Sequence, residues 1–118
     1  MKRKNQKGFT LVEIMAAIFI LTVVLLAIGS LVYSVMRSTT HSKEMTVATT
    51  LMQDKMEGLR NTGLSSLNSG NDTVHMGNID YLRQWVVAAS GNIRTITVDV
   101  NWTSRGSHTV TMTTLRGD

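Results

Sequence analysis

The 118-residue chain contains no cysteine and no proline. The first absence removes disulfides, thiolate metal sites and thiol nucleophiles together, while leaving the compartment open. The second means that nothing forces a long helix to kink or stop. Aromatic residues make up only 5%, and the two tryptophans, Trp85 and Trp102, lie in strand-like segments where a core role accounts for them. Residues 1–8 contain no acid, whereas Lys2, Arg3, Lys4 and Lys7 lie there. The remaining basic and acidic residues balance, so the formal +4 belongs to this leader. Without it, the chain has no electrostatic footprint for nucleic acid.

Residues 9–36 hold a single charge, Glu13. Their length exceeds the roughly 20 apolar residues that cross a bilayer as a helix. The basic cluster on the N-terminal flank, against Arg37 and Lys43 after the run, predicts a cytoplasmic N-terminus and an outer C-terminal part.

Beyond Arg37 the pattern turns amphipathic. Met45, Ala48, Met52, Met56 and Leu59 recur at helical spacing with Leu51 beside them, while Lys43, Glu44, Asp54, Lys55 and Glu57 take other faces. One long helix is therefore predicted, softest at Gly29-Ser30 and ended by Asn61-Thr62-Gly63. Residues 64–72 are rich in Ser, Asn and Gly and read as a loop. Three strands follow over 81–89, 93–102 and 108–115, with a short fourth candidate at 73–76. Ile96, Val98, Val100 and Trp102 alternate with Thr95, Thr97, Asp99 and Asn101, so one face needs cover. The expected fold is α+β: a long N-terminal helix, its first half membrane-spanning, packed on a small antiparallel sheet of three to four strands.

Three readings of the N-terminal segment compete. A secretory signal is shorter than this run and ends at a small-residue site, for which only Ala27-Ile28-Gly29 offers itself. A plain signal anchor explains length and flank but leaves Glu13 unexplained, unless its carboxylate snorkels to the headgroups. The stretch Lys7-Gly8-Phe9-Thr10-Leu11-Val12-Glu13 resembles the processing motif of type IV prepilins and type II secretion pseudopilins: basic residue, Gly, Phe, three uncharged residues, Glu. That resemblance implies cleavage between Gly8 and Phe9 by a prepilin peptidase, methylation of the new Phe9 amine, and docking of Glu13 on the Phe9 amine of a neighbouring subunit. It implies the bacterial inner membrane, with the outer domain in the periplasm, and then a pilus or pseudopilus. Partners would be the peptidase/methyltransferase, membrane lipid before assembly, and other major and minor pilins or pseudopilins. Four segments follow: a leader over 1–8, a membrane and assembly segment over 9–36, an amphipathic outer helix over 37–63, and loop plus meander over 64–118. The outer helix and short sheet are similar to the PilV/GspI-like minor subunits. A subunit of a DNA-uptake filament and a plain membrane-anchored binding domain remain as alternatives.

Other candidate chemistry is thin. His41, His75 and His108 are far apart in sequence. Asn68, Asn71, Asp72, Asn78 and Asp80 offer oxygens for calcium without a standard loop spacing. Arg83, Arg94, Arg105 and Arg116 recur every eleven residues, but a meander places Arg105 at the turn opposite Arg94 and Arg116. No nucleophile and base pair, phosphate loop or paired-carboxylate motif is visible, so neither an enzyme nor a cofactor is expected.

Overall fold

A computed structural model describes residues 8–117. A single helix, α1 (Leu11–Asn61), is followed by a 3-10 turn (Leu64–Ser66) and four strands: β1 (Gly70–Met76), β2 (Ile79–Ser90), β3 (Ile93–Thr103) and β4 (Ser107–Gly117). The strands form one antiparallel sheet in the order β1-β2-β3-β4. The chain divides into two compact units, one ending at His41 and the other running from Ser42.

Within the second unit, Glu44, Ala48, Leu51, Met52, Met56 and Leu59 form the buried face of α1. They pack with Leu67, Tyr81, Ile96, Val98, Val100 and Trp102. Each fully buried aliphatic side chain contributes roughly 1.5–3 kcal/mol relative to exposure, which is how a domain without disulfides holds together. The expected face is found except at its start, where Met45 is exposed and Glu44 is only 7% exposed. Burial of Glu44 is tolerable because donors from β3 and the turn after it meet its carboxylate.

The expected loop over 64–72 is shorter than its composition suggested: Leu64–Ser66 forms the 3-10 turn and β1 already begins at Gly70. Asp72 sits in that strand without penalty because Arg83, its cross-strand partner, neutralises it. The fourth strand is therefore full-length rather than a fragment. Two hairpins turn on the same dipeptide, Gly77-Asn78 and Gly91-Asn92, with φ of 63° and 59° at the glycines. Positive φ at the first of two loop positions is the type II′ pattern, for which glycine is suited. The helix stops as expected at Asn61, but Gly63 is extended rather than left-handed. Arg116 does the capping instead, donating from Nη1 to the Thr62 carbonyl at 2.5 Å and the Leu59 carbonyl at 3.4 Å.

Candidate functional site at the start of the helix

Gly8, Phe9 and Thr10 precede α1 and all three are exposed. Lys7 and the rest of the expected leader lie outside the described residues. Thr10 caps the helix. Its Oγ1 accepts from the Glu13 N–H at 3.3 Å, and its carbonyl accepts from the N–H groups of Glu13 and Ile14 at 3.0 and 3.2 Å. Thr10-x-x-Glu13 thus has the spacing of a capping box, a signal the processing-motif reading passed over. The cap sets where the helix begins and so puts Glu13 in its first turn, where the positive end of the dipole favours a carboxylate.

Two features of this segment have no explanation among the described residues. A side chain added at Gly8 would meet nothing within 4 Å among them. Packing there does not ask for glycine. Among the described residues, the Glu13 carboxylate has no hydrogen-bond or ion-pair partner. Hydroxyls deeper in the run behave differently: Thr22 bonds back to the Ile18 and Phe19 carbonyls and Ser30 to that of Ala27. Such back-bonding satisfies a polar group without help from solvent.

The segment that follows is long and apolar enough to cross a membrane, and none of it is buried within the chain. No residue from 8 to 43 is buried, with Phe9 at 79% exposure.

The outer unit carries two polar clusters. Glu44 accepts from Ser104 Oγ at 2.6 Å and from Trp102 Nε1 at 3.4 Å, while the His108 ring stacks on Trp102 and its Nε2 lies 3.2 Å from the Ser104 carbonyl. Asp72 receives both arms of the Arg83 fork at 2.7 Å, and Arg83 also reaches the Leu51 carbonyl and Asp54. Lys55 joins at 3.4 Å from Asp72 and sits 3.6 Å over the Trp85 ring, whose Nε1 donates to the Asn68 carbonyl. Hydrogen bonds from Arg83, reinforced by its charge, outweigh partial burial and hold the Asp72 carboxyl below its ordinary value; the same pairing raises Arg83. Both clusters join helix to sheet and read as structural.

The acidic and arginine candidates are dispersed. Asp72 and Asp80 fall on opposite faces of the sheet, Asp80 being paired with His75 across β1 and β2. Arg94 and Arg116 are direct cross-strand partners, Arg105 lies at the far turn, and Arg83 is turned inward. A cavity of about 490 Å³ opens beside Asp80, Leu82, Asn101, Thr103 and Thr109. Its one carboxylate is the one already engaged by His75.

Comparison with known proteins bears on the first site alone. The prokaryotic N-terminal methylation motif matches residues 3–29, which include Gly8, Phe9 and Glu13. No curated protein and no solved structure matches the chain. Among the described residues, a glycine that no packing contact requires, a capped helix start and an unpaired first-turn glutamate are thus what this chain shows where it carries the signature of type IV prepilins and pseudopilins.

Proposed function

We propose that the chain is a minor pilin or pseudopilin, a structural subunit of a type IV pilus or a type II secretion pseudopilus that acts in filament initiation or at the tip. Prepilin peptidase cuts between Gly8 and Phe9 and the Phe9 amine is methylated. Residues 9–36 hold the protein in the bacterial inner membrane as a single span, N-terminus inward and outer domain in the periplasm, until assembly. Pilin-like proteins with this motif are structural subunits, and the small outer sheet fits a minor one.

The observation that carries the reading is Glu13, without a partner among the described residues, at the head of a helix with no buried side chain before Glu44. A carboxylate at the centre of a bilayer costs about 2.5–3.5 kcal/mol on insertion scales. Glu13 lies near the end of the span, so its cost is smaller, and a counter-charge removes it. The amine released at Phe9 is such a counter-charge. Within one chain it lies beside the positive helix end; from a neighbouring subunit it meets the carboxylate of an incoming one and sets axial register. Gly8, where no described residue would touch a side chain, suits a backbone that a protease must reach closely.

Coexpression of wild type and Glu13→Gln with the assembly machinery tests this. Both variants are cleaved and membrane-inserted, and only wild type enters sheared filaments. Equal incorporation of the two removes the docking role.

A further inference from the structure

Among the described residues Glu44 is the one buried carboxylate. Burying a carboxylate is costly unless its charge is met. Its donors Ser104 Oγ, at 2.6 Å from Oε1, and Trp102 Nε1, at 3.4 Å from Oε2, are both neutral. A carboxylate accepts at about four lone-pair sites. Two donors leave each oxygen able to bind a cation.

Two histidines border that capacity. His41 precedes Glu44 by three residues on α1, which puts the two side chains on one face a turn apart. His108 comes from β4 and stacks on Trp102. One ligand atom from each of His41, Glu44 and His108 lies within 4.8 Å of the other two. Exposure rises from buried Glu44 through half-buried His108 to exposed His41, so an ion has a way in from solvent.

The donor set selects the ion. Two imidazoles and a carboxylate are ligands of open zinc sites, which hold three protein groups and a water. Calcium and magnesium require more oxygen ligands than one glutamate supplies. Ligand atoms on tetrahedral zinc stand about 3.4 Å apart, given bonds of ~2.0–2.1 Å. Small rotations of the two rings close the set to that spacing. The surrounding hydrogen bonds fit as well. The Ser104 carbonyl can only accept, so its 3.2 Å contact with His108 has Nε2 as donor, and the neutral ring carries its lone pair on Nδ1. Ser104 thus steadies Glu44 through its hydroxyl and His108 through its carbonyl. Hydrogen bonds of this kind orient metal ligands and fix their tautomers.

We propose that His41, Glu44 and His108 bind a zinc ion that fastens α1 to β4 beside the β3–β4 turn. The site lies outside the processing segment and does not depend on the prepilin reading.

Calorimetric titration with zinc chloride tests this on full-length protein in detergent, without a histidine tag and stripped with chelator. One zinc per chain is expected. Affinity falls at least about tenfold in His41→Ala and in His108→Gln, and it is unchanged in His75→Ala, which removes the exposed histidine of the β1–β2 hairpin. Zinc, but not calcium at the same concentration, raises the thermal transition of the outer unit read by tryptophan fluorescence. His41→Ala abolishes that rise yet melts where stripped wild type melts, which separates a lost ligand from a damaged fold. The proposal is overturned if wild type binds no zinc, if either the His41 or the His108 variant binds it as well as wild type, if binding follows His75, or if calcium gives the same shift.

Discussion

One helix serves two regions that obey different rules. In the unit from Ser42, every turn of α1 contributes a buried side chain, and each buried polar side chain has a partner in its own chain. In the unit ending at His41, apolar side chains such as Leu11, Leu26 and Tyr33 are 67–75% exposed, and the only carboxylate has no partner among the described residues. Two glutamates state the contrast. Glu44 is buried and satisfied by Ser104 and Trp102; Glu13 is exposed and satisfied by nothing among the described residues. The first is explained by the fold, and the second finds no explanation among the described residues. A region whose side chains find no partner within the molecule is built for lipid or for other subunits.

Substitutions that sharpen the contrast follow in order of expected effect. Met52→Ala or Met56→Ala, each removing a side chain 5% exposed, should destabilise the outer unit by about 2–5 kcal/mol. Leu21→Ala, in the exposed run, should leave the same thermal transition where it is. A fall in both would mean that the two regions unfold as one. Next, Glu44→Ala strands the buried Trp102 Nε1–H and the Ser104 hydroxyl, at a cost of about 1–3 kcal/mol. Glu13→Ala should not move the melting temperature of the outer unit at all. Denaturation in detergent followed by tryptophan fluorescence reads both pairs, since Trp85 and Trp102 lie in the outer unit.

The glycines separate in the same way. A Cβ at Gly70 would lie 2.8 Å from the Trp85 ring, so Gly70→Ala should cost about 1–3 kcal/mol as the indole is pushed aside. Gly29→Ala meets nothing and should raise helix stability by up to about 1 kcal/mol. The smallest effects are those of pH, confined to the outer unit. Arg83 holds the Asp72 pKa below its ordinary 3.8. Its contribution is therefore complete above that value and lost as pH falls through the lower folded value, a loss that Asp72→Asn should abolish. Burial, with the Glu44 charge adding to it, raises the Tyr81 phenol above its ordinary 10.0. That contribution is complete below pH 10.0 and lost as pH rises through the raised folded value. Tyr81→Phe should flatten the alkaline limb of the melting curve.

The α+β architecture was legible because its signals are periodic. An uninterrupted apolar run, a 3.6-residue stripe and the alternation from Ile96 to Trp102 each identify their element by one rule. What escaped reading depends on partners distant in sequence. Glu44 resembles a solvent-facing residue of an amphipathic helix until the strand 58 residues away supplies its donor. β1 hid in a Ser, Asn and Gly-rich stretch because the cross-strand Arg83 that makes Asp72 acceptable lies eleven residues further on. Gly63 gave a sound stop signal for the wrong reason, since the capping group is Arg116, more than 50 residues beyond. The processing segment was legible as a motif; that no described residue packs on Gly8 or pairs with Glu13 was visible only in three dimensions.

The central claim is that the segment starting at Phe9 is finished for partners outside the chain. Intact-mass and N-terminal peptide mass spectrometry of the protein, purified from membranes that contain an active prepilin peptidase, tests it most directly. The account predicts a chain beginning at Phe9 with a methyl group on its amine. A chain that still carries residues 1–8 under those conditions contradicts it, leaving a single-span anchored domain.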